Sequence, residues 1–353
     1  MGWNKIHPDF RLNGISVNQT NIIEVSASLL TEEEDFTKDI GSFLQEWASS
    51  KDFIIVRTSG STGVPKPIKL KKEHMVNSAR ATASFFKLKP KNTALLCMSA
   101  QFIAGKMMLV RALVLGLHIT VVKASSNPIK NLTTQFNFCA MVPLQLQNSL
   151  ENIGKVKTII VGGAPMSMAL KENVKNVQSH IFETYGMTET ITHIAVKKIS
   201  NTSKNTFSAL PGVTLSIDAR GCLLINAPKI ADAIVVTNDL VALHSKTEFS
   251  WLGRHDSVIN SGGIKLIPEQ IEEKLAKIIE TKFFVSGIPD EVLGQKLVLV
   301  LEGNKNPSKL LLKMKQLGLG KYQIPKTVHC IPKFVSTPTG KINRKETLKH
   351  LYL

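Results

Sequence analysis

The sequence predicts an α/β protein: a large N-terminal domain over residues 1–253 with a mixed or parallel sheet, helices and a small antiparallel subdomain, then a small α+β domain over residues 254–353. Three observations predict it. Strand-like and helix-like patterns alternate between residues 53 and 186, the signature of a sheet built through helical crossovers. From about residue 207 the texture changes to short strands. After "GRHDSVINSGG" (253–263) a new amphipathic helix and new strands begin, which places the domain boundary near Gly253 to Asp256.

Taken in order, Thr31 followed by Glu34 reads as a capping box, and Phe36, Ile40, Phe43, Leu44 and Trp47 recur behind it at helical spacing. A strand at "FIIV" (53–56) leads into a glycine-rich loop, and "IKL" (68–70) follows it. Helix at "EHMVNSARATASFF", strand at "TALLCMSA", helix at "MMLVRALVLG", strand at "HITVVK" and helix at "PLQLQNSLEN" come next. The alternation continues with "VKTIIVGGAP" as strand and loop, "SMALKENVKN" as helix and "HIFETYG" as strand. Short strands at "TLSIDARGCLLINAP", "AIVVTNDLVAL" and "FSWLG" form the antiparallel region. In "PEQIEEKLAKIIE" residues Ile271, Leu275, Ile278 and Ile279 share one face. Strands "FFVSGI" and "QKLVLVLEG" and a helix at "SKLLLKMKQLG" complete the last unit. No internal repeat is visible.

Composition narrows the function classes. The chain has 353 residues, 43% of them hydrophobic, enough for a substantial core. No secretory signal is evident, and the longest apolar region, roughly residues 94–122, is interrupted by Lys106 and Arg111, so membrane insertion is not expected. Four widely spaced cysteines, Cys97, Cys139, Cys222 and Cys330, show no C-x-x-C pattern, and a cytoplasmic, reduced protein is the default expectation. The formal charge is +17, and between Lys305 and Lys349 the only acidic residue is Glu346. Such a face is solvated or attracts a polyanion. No zinc-finger spacing, RNA-binding aromatic motif or basic-region heptad accompanies it, which argues against nucleic acid. A homo-oligomer is left open.

The stretch TSGSTGVPKPIKL (58–70) is the most informative one. It is not a P-loop: Gly60 and Gly63 are two residues apart, Pro65 precedes Lys66, and Pro67 and Ile68 stand where Ser or Thr is needed. Its chemistry still suits a polyphosphate, with exposed backbone N–H groups, the hydroxyls of Ser59, Ser61 and Thr62 and the charge of Lys66. The residues alone are equally compatible with a polar connection between two strands.

Four stretches in order resemble the acyl-adenylate-forming superfamily of acyl-CoA synthetases, luciferases and peptide adenylation domains. TSGSTGVPK (58–66) is similar to its phosphate loop and ETYGMTET (183–190) to its Y-G-x-T-E motif. GRHDSVINSGGIKLIPEQIE (253–272) resembles the hinge segment of its mobile C-terminal domain, and PTGKINR (338–344) the loop of its catalytic lysine. Within the superfamily, the compact length and the stretches "FIAGKMMLVRAL", "VPLQLQ" and "GGAPMS" resemble the short o-succinylbenzoate–CoA ligases of menaquinone biosynthesis.

The resemblance implies a ligase that joins a small-molecule carboxylate to CoA through an acyl-adenylate, with ATP, Mg²⁺ and coenzyme A. Thr58, Ser59, Gly60, Ser61, Thr62, Gly63 and Lys66 would hold phosphates. Thr188 would donate to the α-phosphate and Glu189 would ligate Mg²⁺. Gly162, Gly163 and Ala164 would let the backbone approach the adenine, with Tyr185 stacked on it and Gly186 beside it. Asp239, assisted by Arg254, would accept from the ribose hydroxyls, and Lys341 would reach the forming acyl-phosphate. Asp256 matches the hinge, and Gly262 and Gly263 the route of the pantetheine chain. The second carboxylate of o-succinylbenzoate needs a buried cation, for which Lys106 is the first candidate and Arg111 the alternative.

Three departures stand out. The region before the phosphate loop is shorter than in most relatives, Asn238 replaces the glycine of a usual Thr-Gly-Asp, and Gln101-Phe102 replaces an aromatic-histidine pair. A ligase for another aryl or acyl acid, or an enzyme loading a carrier protein, is the alternative reading. A basic nucleic-acid-binding protein and a nucleotide-binding regulator without catalysis are the competing classes.

Overall fold

The computed structural model of the chain describes residues 3, 5–57, 67–303, 310, 313–314, 316–336 and 342–351. Strands β1 (Arg11–Leu12) and β2 (Ile15–Ser16) precede helices α1 (Ile22–Thr31) and α2 (Asp35–Ala48). Next come β3 (Phe53–Arg57), β4 (Pro67–Lys71), α3 (Lys72–Phe86), β5 (Thr93–Leu96), α4 (Ile103–Leu115), β6 (His118–Val121) and β7 (Phe136–Met141). They are followed by α5 (Pro143–Asn148), β8 (Val156–Val161), α6 (Met168–Val174) and β9 (His180–Gly186). Then β10 (His193–Ile199), β11 (Phe207–Ala209), β12 (Thr214–Ile217), β13 (Cys222–Asn226), β14 (Val235–Ser245) and β15 (Glu248–Arg254) run antiparallel to their neighbours. The last part holds β16 (Ile259–Ser261), β17 (Ile264–Leu266), α7 (Pro268–Leu275), β18 (Phe283–Asp290), β19 (Gly294–Glu302), β20 (Thr327–Ile331) and α8 (Arg344–Lys349).

Thirteen of the described strands form one sheet in the order β12-β13-β14-β15-β11-β10-β9-β8-β7-β5-β6-β1-β2. From β1 through β6, β5, β7 and β8 to β9 all pairs are parallel. The antiparallel strands expected as a subdomain are hydrogen-bonded onto this block through β9 and β10, so they extend the same sheet. The short return from Gly186 to His193 has no room for a helical crossover and imposes the antiparallel pairing.

Helices cover the sheet because their apolar faces need burial. Phe43, Leu44 and Trp47 of α2 and Met107 to Val110 of α4 are at most 2% exposed and share one core with Leu96, Phe138 and Phe249. Burying each such side chain contributes roughly 1.5–3 kcal/mol. β16 to β20 form a second sheet in which β20 lies parallel to β19. Its core, with Ile271, Leu275, Val285 and Leu299, is a separate cluster. No described helix is long and apolar enough to cross a membrane.

The structure corrects the capping box. Thr31 ends α1, a helix the sequence reading passed over, and its Oγ1 donates to the Ser28 carbonyl at 2.7 Å. Glu34 precedes α2 without a side-chain cap and accepts from Lys123 Nζ at 2.8 Å instead. Strands β7, β10 and β20 were also missed. β7 and β10 are covered on both faces, which erases the alternation that marks a half-buried strand. The expected helix at "SKLLLKMKQLG" falls largely outside the described residues, and α7 is shorter than its apolar face suggested.

Candidate active site

The carboxyl ends of β8 and β9 form the floor of the site, the usual place for a ligand in an open α/β sheet. Gly162 follows β8 directly, and its N–H donates to the Met141 carbonyl at 3.1 Å. Thr184 Oγ1 donates to the Val161 carbonyl at 3.0 Å and ties the two strand ends together. A methyl group on Gly162 would overlap that hydroxyl, and Gly163 has φ +82°, so both positions demand glycine. Ala164 completes the turn. Met166 N–H, just beyond, donates to Glu183 Oε1 at 3.2 Å.

Glu183 is 7% exposed and carries two cations, Lys197 Nζ at 2.9 Å and Lys171 Nζ at 3.1 Å. Burial raises its pKa, but the two lysines outweigh burial and hold the carboxyl below its ordinary value of 4.5. This triad anchors the glycine turn, and the sequence reading missed it. Alternation along β9 was the available signal, since Ile181, Glu183 and Tyr185 share a face, and Lys197 is the cross-strand partner of Glu183.

Tyr185 Oη donates to Asp239 Oδ2 at 2.6 Å, and its ring packs edge-on to Phe249 at 5.1 Å. Burial, then Asp239, push the phenol well above its usual range. Trp251 Nε1 donates to Asp239 Oδ1 at 3.1 Å. Arg254 is the register partner of Asp239, with Nη1 3.9 Å from Oδ1, and it pairs with Asp256. The structure thus brings Tyr185, Asp239, Arg254 and Asp256 into one polar network. Trp251 was not foreseen.

Beyond Gly186 the chain turns sharply. Thr188 and Glu189 lie in a short 3-10 turn, stabilised by Thr190 Oγ1, which accepts from Met187 N–H at 3.0 Å. Ile191 follows at φ +65°, a conformation that strains a β-branched residue by roughly 1–3 kcal/mol. Glu189 is exposed and lines a cleft of about 310 Å³ together with Lys69, Lys71, His74 and Asp232. The Y-G-x-T-E turn therefore faces the β3–β4 hairpin, whose end pair Arg57↔Pro67 flanks the glycine-rich loop. Thr58, Ser59, Gly60, Ser61, Thr62, Gly63 and Lys66 themselves lie outside the described residues, as does Lys341.

Gly262 and Gly263, at φ +60° and +82°, make the turn between β16 and β17. Among the described residues no hydrogen bond or ion pair joins this turn to Tyr185, Asp239 or Glu189. Lys106 faces α2: its Nζ stands 5.3 Å over the Phe43 ring, and burial lowers its pKa while Glu46 and Asp39 oppose that. Arg111, on the opposite side of α4, is 1% exposed. Its neighbours are Thr82 Oγ1, Met108 Sδ and His193 Nδ1. Burial pulls its pKa down to about 10, so it remains a cation at neutral pH. Among the described residues no carboxylate pairs with it.

A family model described as AMP-binding enzyme matches residues 12–222, more than half of the chain and the whole floor of the site. The chain belongs to the AMP-binding enzyme family. Among its relatives, the 2-succinylbenzoate–CoA ligase of Listeria monocytogenes is 26% identical, covering 86% of this chain and 71% of that protein. The structure of an acyl-CoA synthetase (AMP-forming)/AMP-acid ligase II-like protein from Dyadobacter fermentans is 34% identical, with a TM-score of 0.63, covering 93% of this chain and 98% of that one. The o-succinylbenzoate coenzyme A synthetase of Bacillus subtilis, solved with ATP and magnesium ion, shares the fold at 19% identity and a TM-score of 0.73, covering 86% and 74%. In this AMP-binding enzyme the family motif ETYGMTET spans β9 and the turn that holds Glu189.

Proposed function

We propose that the chain is an ATP-dependent, AMP-forming acid–CoA ligase that activates o-succinylbenzoate for menaquinone biosynthesis, with ATP, Mg²⁺ and coenzyme A. The observation that carries the choice of acid is Arg111. A guanidinium buried without an anion is costly, and an acid with a second carboxylate would remove that cost on binding. The name of the Listeria relative supports the same acid.

The reaction brings a carboxylate to a polyphosphate, so its main demand is electrostatic. Lys66 and the hydroxyls of the glycine-rich loop would neutralise the outer phosphates, and Thr188 would donate to the α-phosphate. The site fits a nucleoside: Asp239 keeps lone pairs for a diol beside Tyr185, and the backbone at Gly162 and Gly163 is bare enough for a flat ring to approach. Glu189 fits Mg²⁺ as a solvent-facing carboxylate. Among the described residues no group of three His, Cys, Asp or Glu side chains could hold a metal, so phosphate oxygens and water would supply the remaining ligands. Bound there, Mg²⁺ offsets phosphate charge.

Residues 1–253 would bind ATP and the acid. Residues 254–353 would turn about Asp256, presenting Lys341 for adenylation and then the Gly262-Gly263 turn to the incoming CoA thiol. Separate buried cores on the two sides of Asp256 support such a division. The test is acid-dependent AMP release across a panel of carboxylates, with and without CoA. Release of ADP would overturn the mechanism, and turnover of other acids but not o-succinylbenzoate would overturn the assignment of the acid.

A further inference from the structure

His193 opens β10 opposite Gly186 and is 4% exposed. Its Nδ1 lies 3.5 Å from Arg111 Nη2 and its Nε2 3.5 Å from Thr82 Oγ1. That hydroxyl also lies 3.0 Å from the Ser78 carbonyl and 3.4 Å from Arg111 Nε. The proton positions follow from what each group can do. A carbonyl only accepts, so the single Thr82 proton goes to Ser78, and Thr82 Oγ1 accepts from both Arg111 Nε–H and His193 Nε2–H. A guanidinium only donates, so His193 Nδ1 must be bare and accept from Nη2. The ring is therefore neutral, with its proton on Nε2. Burial, then the Arg111 charge, hold its pKa well below the ordinary 6.5, in keeping with that tautomer.

The guanidinium has five N–H donors. Among the described residues, Thr82, His193 and the weak acceptor Met108 Sδ engage three of them, at Nε, Nη2 and Nη1, leaving one N–H on each Nη for an anion. Two parallel N–H groups match the two oxygens of a carboxylate. Left to itself, a long arginine side chain has many rotamers. Here Thr82 and His193 hold it at two different nitrogens.

We propose that His193 is a positioning residue for acid specificity: with Thr82 it fixes the orientation of the Arg111 guanidinium so that its free N–H groups meet the second carboxylate of a dicarboxylic acid. The proposal rests on the reading of Arg111 given above. His193 touches no reacting atom and acts through Arg111.

The experiment compares adenylation of o-succinylbenzoate with that of 4-oxo-4-phenylbutanoate, which lacks the ring carboxylate, as pyrophosphate release by the full chain. In His193→Leu the preference for the dicarboxylate should fall about tenfold or more, with KM for ATP and turnover of the monocarboxylate unchanged, on the scale of one lost hydrogen bond to a charged group. His193→Asn, whose amide oxygen can replace Nδ1 as acceptor, should recover most of the preference. Arg111→Met should abolish it. If His193→Leu does not fold, His193→Gln replaces it, since its amide reaches the Nε2 position and leaves Nη2 without an acceptor. A His193 variant that slows both acids alike, or keeps the preference that Arg111→Met loses, overturns the proposal and spares the reading of Arg111. If Arg111→Met keeps the preference, or the parent chain shows none, both are overturned.

Discussion

Arg254 grips Asp256 through two hydrogen bonds, Nε to Oδ1 at 3.0 Å and Nη2 to Oδ2 at 2.8 Å, while its Nη1 stands 3.9 Å from Asp239 Oδ1. One guanidinium thus faces both the residue matched to the hinge and the residue matched to the ribose.

Rotation about Asp256 requires its backbone to change. Asp256→Pro should leave acyl-adenylate formation within about threefold of the parent while slowing thioester formation at least tenfold, because proline fixes φ. Separate assays of the two half-reactions check this. Equal slowing of both would rule out Asp256 as the pivot.

Lys341 is assigned by resemblance to act only while the α-phosphate is attacked. Lys341→Ala should slow adenylation by two orders of magnitude or more, the scale of a lost transition-state contact of ~3 kcal/mol. Thioester formation from supplied acyl-adenylate should be nearly unchanged, and a matching loss there would make Lys341 a general binding residue.

Tyr185→Phe removes the 2.6 Å donor from Asp239 Oδ2. A hydrogen bond to a charged group contributes about 1.5–3 kcal/mol, so urea unfolding should show a loss of that order and titration of ATP a higher KM. Unchanged values of both would mean that water replaces the phenol without cost.

Glu183→Gln leaves Lys171 and Lys197 facing a neutral amide. Breaking a buried ion pair from one side costs about 3–5 kcal/mol at neutral pH. The pH dependence adds a second signature. The folded pKa of Glu183 lies below 4.5, so its contribution is complete above the unfolded value and is lost as pH falls through the folded one. The Gln variant should therefore show a flatter loss of stability with acid below about pH 4.5. Parallel acid-unfolding curves for parent and variant would contradict the ion triad.

Local patterns in the sequence determined much of this molecule. Strands at 53–57 and 180–186 and the helix around Val76 were legible because burial on one face writes a period of two or 3.6 into the chain, whereas the helix around Leu109, buried on all sides from Met107 to Leu113, was legible as an apolar run. The alternation of strands and helices by itself leads to the expectation of a ligand at the strand-to-loop ends. β7 and β10 were not legible, since a strand buried on both faces loses its alternation.

The partners were decided only by tertiary structure. Periodicity says which way a side chain faces and nothing about what it meets. Tyr185 reaches Asp239 across 54 positions of sequence and Arg111 reaches His193 across 82. Neither pairing follows from strand adjacency: β10, β11 and β15 stand between β9 and β14 in the sheet, and His193 on β10 meets a residue of a covering helix. Lys106 and Arg111 looked alike as cations in one apolar helix. Five residues along α4 turn them to different sides, so one lies over Phe43 and the other is buried against Thr82 and His193, with no carboxylate partner among the described residues.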